Sequence, residues 1–348
     1  MKDFLTLKKL QRGDQVAIIS PSAGLPGLFP WVQDLGLQRL RDNFGLIPKE
    51  YPTTRMMGSS LEDRARDVMA AFSDPANKAV FASIGGEDQI KLIKYLDPVV
   101  FTANPKPFFG YSDNTHLHNF LWSLGIPSYY GGGIMTEFAF QQQMSDITVK
   151  YLNHALFDGG EVAVDVATEF NDIGLNWADQ ENLQRARVFE PNSGLLWDGE
   201  RDAEGILWGG CVESLTVQSS TQKYMPSNDE LRGTILFIET AEDLPDAWIV
   251  EYLLTGFGER GWFDGDVFQA VLVGRPKAWE FDKPNTAEQK AAFKEQQQKT
   301  VVSVIREYNQ TIPIIQNLDF GHTAPQIALP YGGRARIDST AQKIFLSY

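Results

Sequence analysis

Two rhythms of apolar and polar positions alternate along the first 160 residues. The unbroken apolar runs Val16–Ile19 and Ala79–Ile84 have the composition of parallel strands covered on both faces. Between and after them apolar residues recur every three or four positions, which predicts helices. One runs from about Trp31 to Asn43, and a second opens at Ser59, passes Val68, Met69 and Phe72, and stops near Pro75. Ser59 and Glu62 stand at capping-box spacing. A third passes Leu92, Ile93 and Leu96. The next unit runs Pro107-Phe108-Phe109 into Gly110-Tyr111-Ser112-Asp113-Asn114, then the amphipathic stretch Thr115–Trp122. Ile126–Tyr130 and the turn Gly131-Gly132-Gly133 follow. This βαβα order predicts a parallel sheet with helices on both faces. Ligands bind such sheets beyond the carboxyl ends of their strands, where the loops after Ser20, Ile84 and Tyr111 gather.

The rhythm changes after Gly159. Residues Glu161 to Thr168 alternate like a half-exposed strand, and Asn171 to Glu204 is polar, with Trp177 and Trp197 among charges. That composition predicts a connection and a long mobile loop. From Gly205 onward the pattern predicts strands at Thr234–Ile238, Ala270–Val273, Ile312–Ile315, Ala335–Ile337 and Lys343–Phe345. Helices are predicted at Pro245 to about Gly256 and at Thr286 to Tyr308. The expected division is an α/β domain at 1–160, a connection with a long loop at 161–204, and a β-rich domain at 205–348.

Composition narrows the functional classes. The chain has 348 residues, 43% of them hydrophobic, enough for a large core and too many for disorder. Net charge is -14, which disfavours nucleic acid and anionic membranes as partners. No run approaches the roughly 20 apolar residues that span a bilayer. One cysteine, Cys211, permits no intrachain disulfide, which fits a reducing cytoplasm. The first residues lack the apolar core of a signal peptide, so a cytoplasmic location is expected. His116 and His118 are too differently oriented on one helix to share a metal, and no His-Glu-x-x-His occurs, so a zinc enzyme is not expected.

The segment around Ser112 carries the most specific chemistry. A strand that turns sharply into a helix sets a serine hydroxyl clear of the backbone, beside unpaired N–H groups at the helix start. Ser112 can also be read as a helix N-cap, as capping serines far outnumber nucleophiles, and Asn114 stands where an ordinary α/β-hydrolase has glycine. A serine nucleophile needs an imidazole base held by a carboxylate. His322, in the turn Phe320–Pro325, and His116, four residues after Ser112, are both candidates; His118 points away and His154 reads as structural. Glu239 ends an apolar run and is the candidate acid, against the alternative of a solvated strand end. Glu242 and Asp243 read as charges at the start of the next helix. The N–H groups of Asp113 and of Gly85-Gly86 are placed to stabilise an oxyanion.

Together these segments resemble the serine LD-carboxypeptidase family. The resemblance rests on Gly13–Ser22, Ser83-Ile84-Gly85-Gly86-Glu87-Asp88, Phe109–Thr115, Trp208-Gly209-Gly210-Cys211-Val212-Glu213-Ser214-Leu215, Leu236–Thr240 and Gly321-His322-Thr323, in family order. It is most marked with the branch that holds the microcin C immunity proteins. It implies a flavodoxin- and class I amidotransferase-like N-terminal domain and a swivelling β-rich C-terminal domain. It also implies a Ser112–Glu239–His322 triad, an oxyanion hole at Gly86 and Asp113, a homodimer, and no metal or organic cofactor. Relatives cleave amide bonds near a free carboxylate, in cell-wall tetrapeptides or in peptidyl-nucleotide antibiotics. The expected partner is therefore a small peptide or an aminoacyl-nucleotide. Immunity-type relatives stack the base on a loop tryptophan, for which Trp177 and Trp197 are the candidates. A peptide-binding relative without catalysis is the rival reading.

Overall fold

The computed structural model describes residues 2–221 and 223–348. The apolar runs of the first half become Gln15–Ile19 (β1), Ile47–Glu50 (β2), Asn77–Ala82 (β3), Phe108–Gly110 (β4) and Ser128–Tyr130 (β5). Pro30–Asp42 (α1), Leu61–Ser73 (α2), Ile90–Ile93 (α3), Pro98–Ala103 (α4) and Thr115–Ser123 (α5) lie between them, and Asp146–Asn153 (α6) follows. β1 to β5 are parallel throughout. Alternate residues of β1 enter different cores: Ala17 and Ile19 meet Val68 and Phe72 of α2 and Leu117 and Leu121 of α5. Val16 and Ile18 meet Leu37 and Leu40 of α1. Both faces are therefore covered, which is why these strands show no polar alternation. Each fully buried aliphatic or aromatic side chain contributes roughly 1.5–3 kcal/mol.

Ser60, not Ser59, caps α2: its hydroxyl accepts the Asp63 N–H at 3.1 Å, while the Ser59 hydroxyl donates to Met56 O. The next residue satisfies the same Ser-x-x-acid spacing, and the geometry of entry selects it.

The second half supplies Glu161–Ala163 (β6), the short pair Glu169–Phe170 (β7) and Glu190–Pro191 (β8), Leu196–Asp198 (β9), Ala203–Cys211 (β10), Thr234–Glu239 (β11), Phe268–Gly274 (β12), Ile314–Leu318 (β13), Leu329–Tyr331 (β14), Arg334–Asp338 (β15) and Lys343–Ser347 (β16). Its helices are Val212–Thr221 (α7), Asn228–Leu231 (α8), Ala247–Glu259 (α9) and Ala287–Tyr308 (α10). Eight strands form one sheet in the order β6-β16-β15-β10-β11-β12-β13-β9, with β10 to β13 parallel. The stretch at 161–204 lends this sheet β6, within the half-exposed strand expected at 161–168, and also β9, where a loop was expected. β10 escaped the pattern reading because glycines at 205, 209 and 210 interrupt its apolar sequence. β14 leaves the second half and pairs antiparallel with β5, completing the first sheet as β14-β5-β4-β3-β1-β2. One core cluster also joins Trp122 and Tyr130 to Trp208, Phe237 and Tyr331. Among the described residues no helix is long and apolar enough to cross a membrane.

Candidate active site

The turn after β4 is built around a strained serine. Ser112 has φ 63°, a left-handed conformation that a non-glycine residue adopts only when its surroundings hold it there. Asn114 does much of the holding. Its side-chain N–H groups donate to Tyr111 O at 2.9 Å and Ile84 O at 3.3 Å, and its Oδ1 accepts from Gln89 at 2.8 Å. The Asp113 carboxylate accepts the Gln89 N–H at 2.9 Å and the Ser22 hydroxyl, which ties the loops after β1 and β3 to the turn. Ser112 is not a cap. The residue ahead of α5 is Asn114, and no side-chain cap bond is made there. Among the described residues the Ser112 hydroxyl has no hydrogen-bond partner; its backbone N–H donates to the Tyr130 hydroxyl at 3.1 Å.

Glu239 ends β11 and is buried, which excludes the solvated reading. Its Oε2 accepts from His322 Nδ1 at 2.6 Å, and its Oε1 accepts from the Tyr130 hydroxyl at 2.6 Å. Tyr130 therefore links the backbone of Ser112 to the carboxylate that holds His322. Pattern reading missed it, because a tyrosine closing a buried strand carries no local signal. Gly321, with φ +97°, lets this approach happen: a Cβ there would meet Glu239 Oε2 at 2.6 Å. The other imidazole nitrogen, Nε2, contacts Glu242 Oε2 at 2.9 Å rather than Ser112. The structure thus corrects the reading of Glu242 as a simple helix-start charge. Helix α9 begins only at Ala247, leaving Glu242 free to fold back over the imidazole.

Burial works against a charged His322, but Glu239 and Glu242 outweigh it and hold the imidazole well above its ordinary titration range. Burial also opposes the charge on Glu242, yet His322 keeps that carboxyl below its usual range. The Glu242 side chain remains 52% exposed, so water screens this pull in part. The His322 ring stands edge-on to Tyr111, the neighbour of Ser112, with centroids 5.0 Å apart.

Ser112, His322, Gly86 and Asp113 line one cavity of about 1260 Å³, together with Trp177, Glu137, Arg187 and Glu213. Gly86 has φ +154°, and a Cβ there would collide with Ser22 Oγ and lie 3.0 Å from Ala23 N. Neither the Gly86 nor the Asp113 N–H is taken by a protein acceptor among the described residues. Two free backbone donors beside a serine hydroxyl and a carboxylate-held imidazole are the groups acyl transfer requires. No group of three His, Cys, Asp or Glu side chains able to hold a metal ion occurs among the described residues.

The remaining candidates separate cleanly. His116 is buried between Gln218 Oε1 at 3.1 Å and Asp113 Oδ1 at 3.5 Å, and burial pushes its titration down despite Asp113. His118 is enclosed by Ser128 and Gly110 O, and burial pushes it down to about 3. His154 lies near Gly159 O at 3.4 Å. Trp177 lines the cavity and packs edge-on to Phe29 at 5.8 Å. Trp197 does not: it lies in β9, pairs with Ile315 of β13 and packs on the core, because a short edge strand rather than a loop carries it.

Comparison with known proteins shows the family and the fold. The family model for the LD-carboxypeptidase N-terminal domain matches residues 16–131, and that for the C-terminal domain matches residues 204–337. YocD of Bacillus subtilis, named as a carboxypeptidase, is 30% identical over 95% of each chain. The microcin C7 self-immunity protein MccF of Escherichia coli is 24% identical over 83% of this chain and 79% of its own. A solved MccF-like protein of Streptococcus pneumoniae, in complex with AMP, superposes with a TM-score of 0.83 at 27% identity, covering 97% of this chain and 99% of that one.

Proposed function

This chain belongs to the LD-carboxypeptidase family, and from that membership and the geometry of the cleft we propose that it is a serine peptidase working through an acyl-enzyme. Ser112 Oγ attacks the amide carbonyl carbon as its proton passes to His322 Nε2. Glu239 keeps the imidazole oriented and stabilises its positive charge. The N–H groups of Gly86 and Asp113 receive the oxyanion, each such donor being worth about 100–1000-fold in rate. Nε2 then returns the proton to the leaving nitrogen as the C–N bond breaks, and water releases the acyl group by the same steps in reverse roles. Before the first step Nε2 must exchange Glu242 for the Ser112 hydroxyl, so the proposed cycle starts with Glu242 swinging away. In this reading the part through residue 160 brings the nucleophile, and the part from residue 205 brings acid and base.

The observation that carries the proposal is the strained Ser112, its hydroxyl uncommitted, in the same cavity as a Glu239-bound His322. The substrate is proposed to be a small peptide or peptide-like amide. The AMP bound by the Streptococcus pneumoniae relative favours an aminoacyl-nucleotide as a second reading, with Trp177 as the stacking residue. The test offers LD-linked muropeptides and aminoacyl-sulfamoyl adenosines to wild type and Ser112→Ala, with products and acyl-enzyme read by mass spectrometry. Wild type is expected to cleave one set and form an ester at Ser112, while Ser112→Ala stays folded and inactive. Full turnover by Ser112→Ala would remove the nucleophile from the account.

A further inference from the structure

Three cationic side chains of lysine or arginine line the cleft, and two are already neutralised. Arg64 pairs with Asp88 at 2.8 Å, and Lys277 pairs with Glu280. Arg187 has no carboxylate within 4.0 Å among the described residues. Its guanidinium lies over the Phe140 ring at 4.2 Å. Its Nε donates to Gln141 Oε1 at 2.6 Å and its Nη1 to Asn171 Oδ1 at 3.4 Å, while Nη2 has no acceptor among the described residues. Gln141 and Asn171 are both buried, so two neutral amides and an aromatic face hold the fork still without cancelling its charge. A part-buried cation left unpaired is costly, and proteins keep one where a ligand completes it.

We propose that Arg187 is the side chain of this cleft that anchors the free α-carboxylate of the substrate. This inference rests on the peptidase reading of the same cleft. A planar, pre-oriented guanidinium with an unused nitrogen matches a carboxylate in a way a lysine does not. A phosphate is the less suitable anion. Glu137, Glu213 and Glu242 line the same cavity, and this acidic surround opposes a dianion more than a monoanion. Burial pulls the guanidinium down to about 10, partly offset by Tyr111 and Glu137, so it is still a cation at neutral pH.

The experiment compares matched peptides ending in a carboxylate or a carboxamide, with wild type, Arg187→Ala and Arg187→Lys. Wild type is expected to prefer the acid, and Arg187→Ala to lower its kcat/KM about 10- to 100-fold, as loss of a charge-assisted hydrogen bond does. The acid-to-amide ratio should then fall towards one, with Arg187→Lys between. Calorimetric titration of the same peptides and of AMP into the Ser112→Ala protein, with and without Arg187→Ala, reads binding without turnover. Equal losses on both peptides, or AMP binding that depends on Arg187 while acid-peptide binding does not, would overturn the anchor and leave the Ser112 peptidase standing. Absence of any Ser112-dependent cleavage would instead count against the peptidase reading, and the titration would still decide the anchor.

Discussion

At His322 two carboxylates hold one imidazole, and only one of them is useful to it in its proposed role as base. Glu239 takes Nδ1 and Glu242 takes Nε2. A general base must be neutral, whereas both carboxylates favour the imidazolium. Activity on the acid side should therefore rise only as pH passes through the raised titration point of His322. Glu242→Gln removes one of the two attractions, so the acid limb of the kcat/KM profile is expected to move to lower pH. A limb that stays in place would mean that Glu242 does not face His322 in solution. Single residues were legible in unequal degree. Ser112, Glu239 and His322 stand in sequence contexts that point to them: a glycine-flanked turn, a charge ending an apolar run, and a histidine in a loop of small residues. Tyr130, Glu242 and Arg187 have no such context, since each acquires its place from a partner far along the chain.

At the scale of elements, the site depends on turns that admit close backbone approach. The turn before His322 passes against Glu239 at Gly321, where a Cβ would sit 2.6 Å from the carboxylate oxygen. Gly321→Ala is thus expected to displace the acid and with it the imidazole. A displacement of about 1 Å costs on the order of 100-fold in rate. The measurement is kcat with far-UV circular dichroism as the fold control, and unchanged kcat would refute the packing argument. Regular elements were readable where one period persists. The long helix α10 and the buried strands β1, β11 and β12 were found with small boundary shifts, because their apolar positions repeat over several residues. Two- and three-residue strands such as β8 and β9 are too short to show a period, so 171–204 reads as loop. The glycines of β10 suppress its strand signal for a different reason: they lower β propensity while allowing close packing, with a Cβ at residue 210 landing on Thr115.

At the scale of the molecule, the two halves are stitched together. β14 returns to the first sheet, and Trp208 Nε1 donates to Asn119 Oδ1 of α5 at 2.6 Å inside the common core. Opening one half would strip β5 of a partner and expose part of that core. Thermal unfolding is accordingly expected as a single transition with equal calorimetric and van't Hoff enthalpies. Two resolved transitions would show that the halves melt independently.

Amino-acid order alone determined the alternation of strand and helix where a period persists, and offered Ser112, Glu239 and either His322 or His116 as candidates, since each depends on neighbours within a few positions; the triad as a set came from the family resemblance. Tertiary structure decided that β14 crosses back, that Trp177 faces the cleft while Trp197 joins the core, and that Glu242 rather than Ser112 occupies the imidazole. Those outcomes depend on contacts between segments tens to hundreds of residues apart. They are settled by which buried groups find partners when the whole chain packs.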